Sequence, residues 1–534
     1  MPDFFRRTGL LPAEAAVYGA NLPAAVLDMA RILRARFGEL IQICDGVADN
    51  VEIQAAINAL TAGRTWKETV KLVGSFSIGA TLNLPSYIVL DLTEARLTLA
   101  NGVNADMFDV PNRDYVDFIG GILDGNRANQ AAGSGINIRT ATSNYIVIQG
   151  VQFSNFFLFS IIAEDAADIK ILDCLLTGSG DRNLVLTRTT RVKVLRCYIF
   201  ANNANQNIVV SGAGTTTSDI EIGFCRIDNS RTQAIIVSSA GAAQPVFDIN
   251  IHDNVINSPL GSAIFLDGTN MLASRISVVK NHIFNAADGS LGDQDAILGG
   301  PGTGFIVTGN FIYSPYAGGI TLVTVTNSVV NDNYVIYAGA RGLGGVGLEL
   351  TRCSYLTVVG NVAQLTNDDG IRLWGCSYCS VTGNTIRDSS QRANNTFFDI
   401  SLAVSVGVNS VYNTVSANVM NATQANRVAR NIDEADVNQN YNRYNGNSVS
   451  GAVTAPMRIQ GANSRARHNT GYVTEGSGNS IGTGAQQTIA HGLGFTPTAQ
   501  QIALTAGSAT ALPYHSAAPD ATNIYDTAAL NQPW

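Results

Sequence analysis

Short apolar runs recur along this chain, and polar turn residues separate them at a regular interval. INIHDNVI, ISVVKNHI, FIVTGNFI, SVVNDNYV, LTVVGNVA, CSVTGNTI, NTVSANVM, NRYNGNSV and SRARHNTG all carry Asn at the sixth position. These are Asn254, Asn281, Asn310, Asn333, Asn361, Asn384, Asn418, Asn447 and Asn469, at intervals of 27, 29, 23, 28, 23, 34, 29 and 22 residues. Upstream, Cys174, Cys197 and Cys225 occupy the same slot in IKILDCLL, VKVLRCYI and IEIGFCRI, preceded by Val151 and Gly121. Each repeat holds two or three alternating runs too short for helices, so every repeat reads as strands joined by turns. A period of this length built from strands predicts a solenoid. Three strands and their turns fill one coil of a parallel β-helix, with coils stacked about 4.8 Å apart. An Asn buried at each turn needs its amide satisfied, and the adjoining coils supply the partners.

An asparagine ladder of this kind resembles the right-handed β-helix of pectate lyases and bacteriophage tailspikes, over residues 41–475. The expected fold is all-β: a right-handed single-stranded parallel β-helix of about 12–14 coils with an N-terminal helical cap and a small C-terminal β-sandwich. Composition agrees, with 52 Gly, 46% hydrophobic and 14% charged residues.

Both ends depart from the repeat. Residues 1–40 hold AAVLDMARILRARF, whose Val26, Met29 and Leu33 lie at helical spacing after Pro23, a start signal. ICDGVADNVEIQAAINAL follows, with Ile53, Ala56, Ile57 and Leu60 on one face of a short helix within residues 50–60. It resembles the opening of tailspikes and related polysaccharide-degrading β-helix proteins, where such a helix plugs the solenoid end; an uncovered first coil would expose core and strand edges. Asp45 and Asp49 then read as turn and cap residues. In residues 476–534, TIAHGLGFTPT resembles a β-sandwich at the ends of phage tail fibres, where it helps three chains associate. His491 lies in that phrase and is read as structural.

Charge and cysteine usage narrow the function classes. A net charge of −8 and a pI of about 5.2 argue against nucleic acid. No apolar run reaches the ~18 residues of a membrane span, and the first twenty residues lack the apolar core of a signal peptide. The register makes Cys174, Cys197, Cys225, Cys353 and Cys376 inward-facing small hydrophobes, and it aligns Cys379 with Leu356, so no metal or other cofactor is expected. Asp288, Asp293 and Asp295 sit in a longer insert without the spacing of a calcium loop. Asp124, His252 and His282 read as structural, and Asp181 shares the register of Asp368 but lies several coils away, too far to act on the same bond.

A second recurrent strand has outward middle positions Val185, Val209, Ile236, Phe265, Thr321, Glu349, Arg372 and Ser401. Its first half is apolar, as expected of a face against another subunit. Glu349 and Arg372 are one coil apart and should pair, beside Asp368 and Asp369 in the turn Asn-Asp-Asp-Gly. Asp368, Asp369 and Glu349 are the candidate catalytic carboxylates for glycosidic-bond cleavage, with Arg372 as substrate ligand; Asp-Asp-Gly is also an ordinary turn signal. The Gly-His-Gly and Arg-Ile-Lys motifs of polygalacturonases are absent. The resemblance implies a virion tail protein: a homotrimer that binds, and in the enzymatic variant depolymerises, a host cell-surface polysaccharide, docked to other tail proteins through its N-terminal segment. A free-standing lyase or hydrolase and a non-catalytic structural β-helix are the alternatives.

Overall fold

The computed structural model describes residues 14–19, 22–37, 41–44, 46–139, 143–200, 205–212, 216–239, 245–268, 273–287, 295–340, 344–425, 427–472, 486–490, 514–517 and 523–527. The chain is an all-β, parallel, right-handed β-solenoid of about 15 turns with 5% helix, against the 12–14 coils expected from the ladder. It divides into two compact units, residues 1–343 and 344–534.

In the first unit a representative coil runs through strands Val246–His252, Val255–Asn257 and Ile264–Asp267. Each pairs in parallel with the same strand of the next coil, for instance Ile249 with Ile276, Ile256 with Ile283 and Leu266 with Gly299. Apolar side chains at alternate positions turn inward: Ile249, Ile251, Ile256, Ile264 and Leu266 are at most 1% exposed. Corners form where the backbone goes left-handed. Asp248, Asp253 and Ser258 have φ of 56°, 51° and 46°, and lie six before, one before and four after Asn254. The same offsets recur in the second unit at Tyr378, Gly383 and Asp388 around Asn384.

Successive asparagines of the ladder join by one rule. Asn281 Nδ2 donates to Asn310 Oδ1 at 3.1 Å and to the Ile251 carbonyl at 2.9 Å, and its backbone N–H donates to the same Asn310 oxygen at 3.0 Å. This rule links Asn254, Asn281, Asn310 and Asn333 in the first unit. In the second it links Asn361, Asn384, Asn418, Asn447 and Asn469. A parallel ladder that the repeat did not announce pairs Asn413 with Asn442 at 3.1 Å. All seven cysteines are free and buried. Cys174 and Cys197 point their thiols at strand carbonyls 3.2 to 3.6 Å away.

The predicted helices form as Ala24–Phe37 and Asn50–Asn58. Asn50–Asn58 buries Ile53, Ala56 and Ile57 and packs on strands Glu14–Tyr18, Ile41–Ile43 and Glu68–Ile78. Asp49 stands at its N-cap, but its carboxylate accepts from the Gly46 and Ser77 N–H groups rather than from the helix. It therefore ties the turn to the first long strand. Strand Glu14–Tyr18 pairs with Glu68–Ile78, which builds part of the 1–40 segment into the solenoid. Val26 and Met29 on the longer helix are 38% and 57% exposed. Near the C-terminus, Gln486–Ala490, Asn523–Thr527 and Tyr514–Ala517 form an antiparallel three-stranded sheet. Asp45, Asp288, Asp293 and His491 lie outside the described residues.

Candidate functional site

In the second unit, strand Ile371–Trp374 follows the turn Asn367-Asp368-Asp369-Gly370. Ile371 and Leu373 enter the core, which leaves Arg372 and Trp374 on the outer face. Gly370 is required there because a Cβ would meet the Ile386 side chain at 2.4 Å and the Asp399 carbonyl at 2.7 Å. Register places Glu349 opposite Arg372, and Arg372 opposite Ser401, as the spacing predicted.

Arg372, Asp369 and Glu349 meet in one ionic network, with Asp368 beside it. Arg372 Nε donates to Asp369 Oδ2 at 2.8 Å and its Nη1 to Glu349 Oε2 at 3.3 Å, while the guanidinium lies 5.7 Å from the Trp374 ring. Asp369 also accepts from the Phe398 N–H at 2.9 Å and the Ser401 hydroxyl at 2.6 Å and is 2% exposed. Glu349 accepts from Thr351. The network thus commits both Asp369 oxygens, and the Nε and Nη1 donors of Arg372, to neighbours in the same chain. Asp368 differs. It faces Arg392 at 2.9 Å, and burial pushes its carboxyl above the ordinary range against the pull of Arg392 and Arg372. The outward row continues to Asp433, held by Arg458 through two bonds of 2.7 Å.

The first unit carries a feature that the ladder register did not single out. An open groove of about 840 Å³ runs along its long-strand face. Two outward rows make its floor. One row is the left-handed corner six residues before each ladder position: Tyr115, Tyr145, Asp168, Arg191, Asp219 and Asp248. The other is two residues further on: Val147, Lys170, Lys193, Glu221 and Asn250. Tyr115 stacks on Tyr87 at 4.9 Å and on Tyr145 at 4.6 Å, with interplanar angles of 19° and 9°. Paired charges fill most of the remainder: Arg191 grips Asp168 through two bonds of 2.8 Å, and Lys193 meets Glu221 at 2.7 Å. The Lys193 ammonium and then His252 hold the Glu221 carboxyl below its usual range. His252 spans Glu221 and Asp253 at 3.2 and 2.9 Å, in the space left by Gly223. The signal was present in the sequence as an offset, because the corner residue always sits six before the ladder slot.

The remaining candidates are structural in their contacts. Asp124 pairs with Arg96 and Asp181 with Arg182; His282 packs beside Phe311; Asp295 accepts from the Gly318 N–H. Cys44, Asp49 and Glu52 are the only group of described residues spaced to hold a metal ion. Both Asp49 oxygens there already accept backbone N–H groups, so that set is spoken for by the fold. No helix among the described residues is long and apolar enough to cross a membrane.

A family model described as a right handed beta helix region matches residues 243–396. No curated protein matches the chain. Among solved structures, the surface adhesin PfbA of Streptococcus pneumoniae is 14% identical over 68% of this chain and 91% of its own, with a TM-score of 0.49. A tailspike protein of the E. coli bacteriophage HK620 is 15% identical over 69% of this chain and 76% of its own, with a TM-score of 0.44. The A-module of the mannuronan C-5 epimerase AlgE6 of Azotobacter vinelandii is 16% identical over 80% and 96%, with a TM-score of 0.32. These likenesses bear on the fold alone.

Proposed function

We propose that this chain is a virion tailspike or tail-fibre protein that binds a host cell-surface polysaccharide as a homotrimer. Its N-terminal segment attaches it to other tail proteins. The groove carries the reading. Its corner row from Tyr115 to Asp248 spans six rungs, about 24 Å at the spacing of stacked strands, and it follows the stacking axis. A trough of that length suits a linear polymer, and its tyrosines offer apolar rings with polar tips at one end. The segments resembling tailspike openings and tail-fibre tips support the virion location. Of the outward row, Val185 is already covered within the chain at 6% exposure, and the half-buried Val209, Ile236 and Phe265 support the trimer, because an apolar row on a sheet face fits a subunit contact.

The test is binding of the full chain to polysaccharide extracted from host cells, by calorimetry, alongside sedimentation equilibrium. Trimers that bind, and that lose about tenfold or more in affinity on Tyr145→Ala or Arg191→Ala, are expected. A monomer, or binding indifferent to both substitutions, overturns the reading.

Cleavage is a second reading, favoured by the raised carboxyl of Asp368. There Asp368 is the proton donor, Glu349 the carboxylate paired with Arg372, and Asp369 the residue that positions Arg372. Depolymerisation that survives Asp368→Asn would remove this assignment and leave binding intact.

A further inference from the structure

Five cations on the outward rows of the first unit follow a rule: each meets a carboxylate on an adjoining rung. Lys71 pairs with Glu94, Arg191 with Asp168, Lys193 with Glu221, Arg196 with Asp173 and Arg275 with Asp248, all at 2.6 to 2.8 Å. Lys170 breaks the rule. Its strand, Ala166–Leu172, sets it opposite Val147 on one side and opposite Lys193 on the other. Among the described residues no carboxylate forms an ion pair with it. Asp168, two residues away on the same strand, gives both oxygens to Arg191. Glu221 is shared by Lys193 and His252.

Like charges directly opposite each other weaken a sheet. An exposed lysine stacked on another lysine, inside a groove whose other cations are all neutralised, gains only the attraction of Asp168, which is already gripped by Arg191. Fold stability would be served as well by Gln or Thr. The groove also holds one carboxylate that forms no ion pair among the described residues, Asp219, which receives only the Ser218 hydroxyl at 3.3 Å. It lies two rungs from Lys170, about 10 Å along the trough. Sugar hydroxyls are donors and answer a carboxylate without bringing charge. An ammonium left bare calls for an anion.

We infer that the polysaccharide taken by this groove is acidic: Lys170 receives the carboxylate of a uronic acid unit, and Asp219 accepts hydroxyls of a unit further along. The inference rests on the reading of the groove as a glycan site and adds the class of glycan.

Three probes separate the possibilities when titrated into the full chain by calorimetry: oligogalacturonate as carboxylated chain, dextran sulfate as sulfated chain and dextran as neutral chain. Oligogalacturonate is expected to bind best. Lys170→Gln should lower its affinity about tenfold or more, the scale of one lost charge-assisted hydrogen bond, and Lys170→Arg should retain most of it. Dextran affinity should change less than about twofold with Lys170→Gln, because a neutral chain brings no charge for the ammonium to meet. Preference for dextran sulfate over oligogalacturonate would overturn the carboxylate assignment. Binding of dextran that equals oligogalacturonate and ignores Lys170→Gln would overturn the acidic class while Tyr145→Ala still weakened it, so the polysaccharide reading would survive. Absence of binding by all three probes and by host polysaccharide would remove both.

Discussion

The two units treat surface charge in opposite ways. In the second unit the Arg372 cluster is closed: Asp369 and Glu349 share one guanidinium, Ser401 and the Phe398 N–H complete Asp369, and the row continues through Asp433 and Arg458. In the first unit the groove is paired rung by rung and then left open at Lys170 and Asp219. A network whose members satisfy one another serves the fold, whereas an exposed charge set opposite a like neighbour and in no ion pair is open to a ligand. This contrast shifts interest away from the most conspicuous acidic turn and toward the quieter row of corners.

The sharpest break of the comparison is Asp369→Ala. It strips Arg372 Nε, the Ser401 hydroxyl and the Phe398 N–H of their common acceptor in a site 2% exposed. Loss of one partner of a buried pair costs about 3–5 kcal/mol, to be read from denaturant unfolding of the full chain. Lys193→Gln, which opens the exposed Glu221 pair, should cost far less because water replaces the lost partner. Equal losses would show that the two kinds of charge are not distinguished by burial.

The closed network also has a pH signature. Asp399 sits beneath it, fully buried, with Ser389 and Asn431 donating to its two oxygens at 2.6 Å each. Burial is the larger influence and pushes its carboxyl up to about 7, against those two hydrogen bonds. The folded carboxyl therefore keeps its proton where the unfolded one, near 4, has lost it. Stability is fully present below pH ~4, falls as pH rises and is lost through pH ~7, by an amount on the order of 4 kcal/mol for a three-unit difference. Asp399→Asn should flatten that slope and make the variant the more stable form at pH 8. Thermal melts of parent and variant between pH 4 and 8 check it, and parallel curves would assign the pH dependence elsewhere.

Much of this was legible in the sequence, for identifiable reasons. Ladder asparagines announce themselves because a buried amide has few substitutes, and their spacing set the register that placed Glu349 opposite Arg372. The apolar half of the outward row followed from the same count. What escaped is the corner row. There the shared property is a left-handed backbone, which Tyr, Asp, Arg, Asn and Gly all adopt in this chain, so no single residue type marks it. Nor could spacing show that Asp369 takes the Nε donor of Arg372 while accepting from the Phe398 N–H, since that depends on where the Phe398 strand passes.

A smaller effect tests whether the corner rows hold structure or only display side chains. In the second unit Tyr355, Tyr378, Tyr412 and Tyr441 stack at 4.8 to 5.1 Å with their planes within 6° of parallel. Each pays the left-handed strain, about 1–2 kcal/mol for a residue with a Cβ, against stacking of about 0.5–1.5 kcal/mol per pair. Tyr378→Asn gives up two stacked contacts and relieves part of the strain, so a net loss of about 1 kcal/mol is expected. Tyr378→Phe should match the parent, as the rings and not the hydroxyls make the contact. A large loss for Phe would assign the hydroxyl a structural partner.

The smallest expected effect carries the comparison furthest. Lys170→Gln removes a charge that stands opposite Lys193 and forms no ion pair among the described residues. Stability should change by no more than about 0.5 kcal/mol, with the sign toward stabilisation, because a repulsion from directly opposite Lys193 is relieved and only a screened attraction to Asp168 is lost. Lys193→Gln, by contrast, frees Glu221 and leaves it with His252 alone, and should destabilise. Opposite signs at two stacked lysines, measured in one denaturant series, would show that one serves the fold and the other does not; a destabilised Lys170→Gln would return Lys170 to the structural charges and close the groove's argument for an anionic ligand.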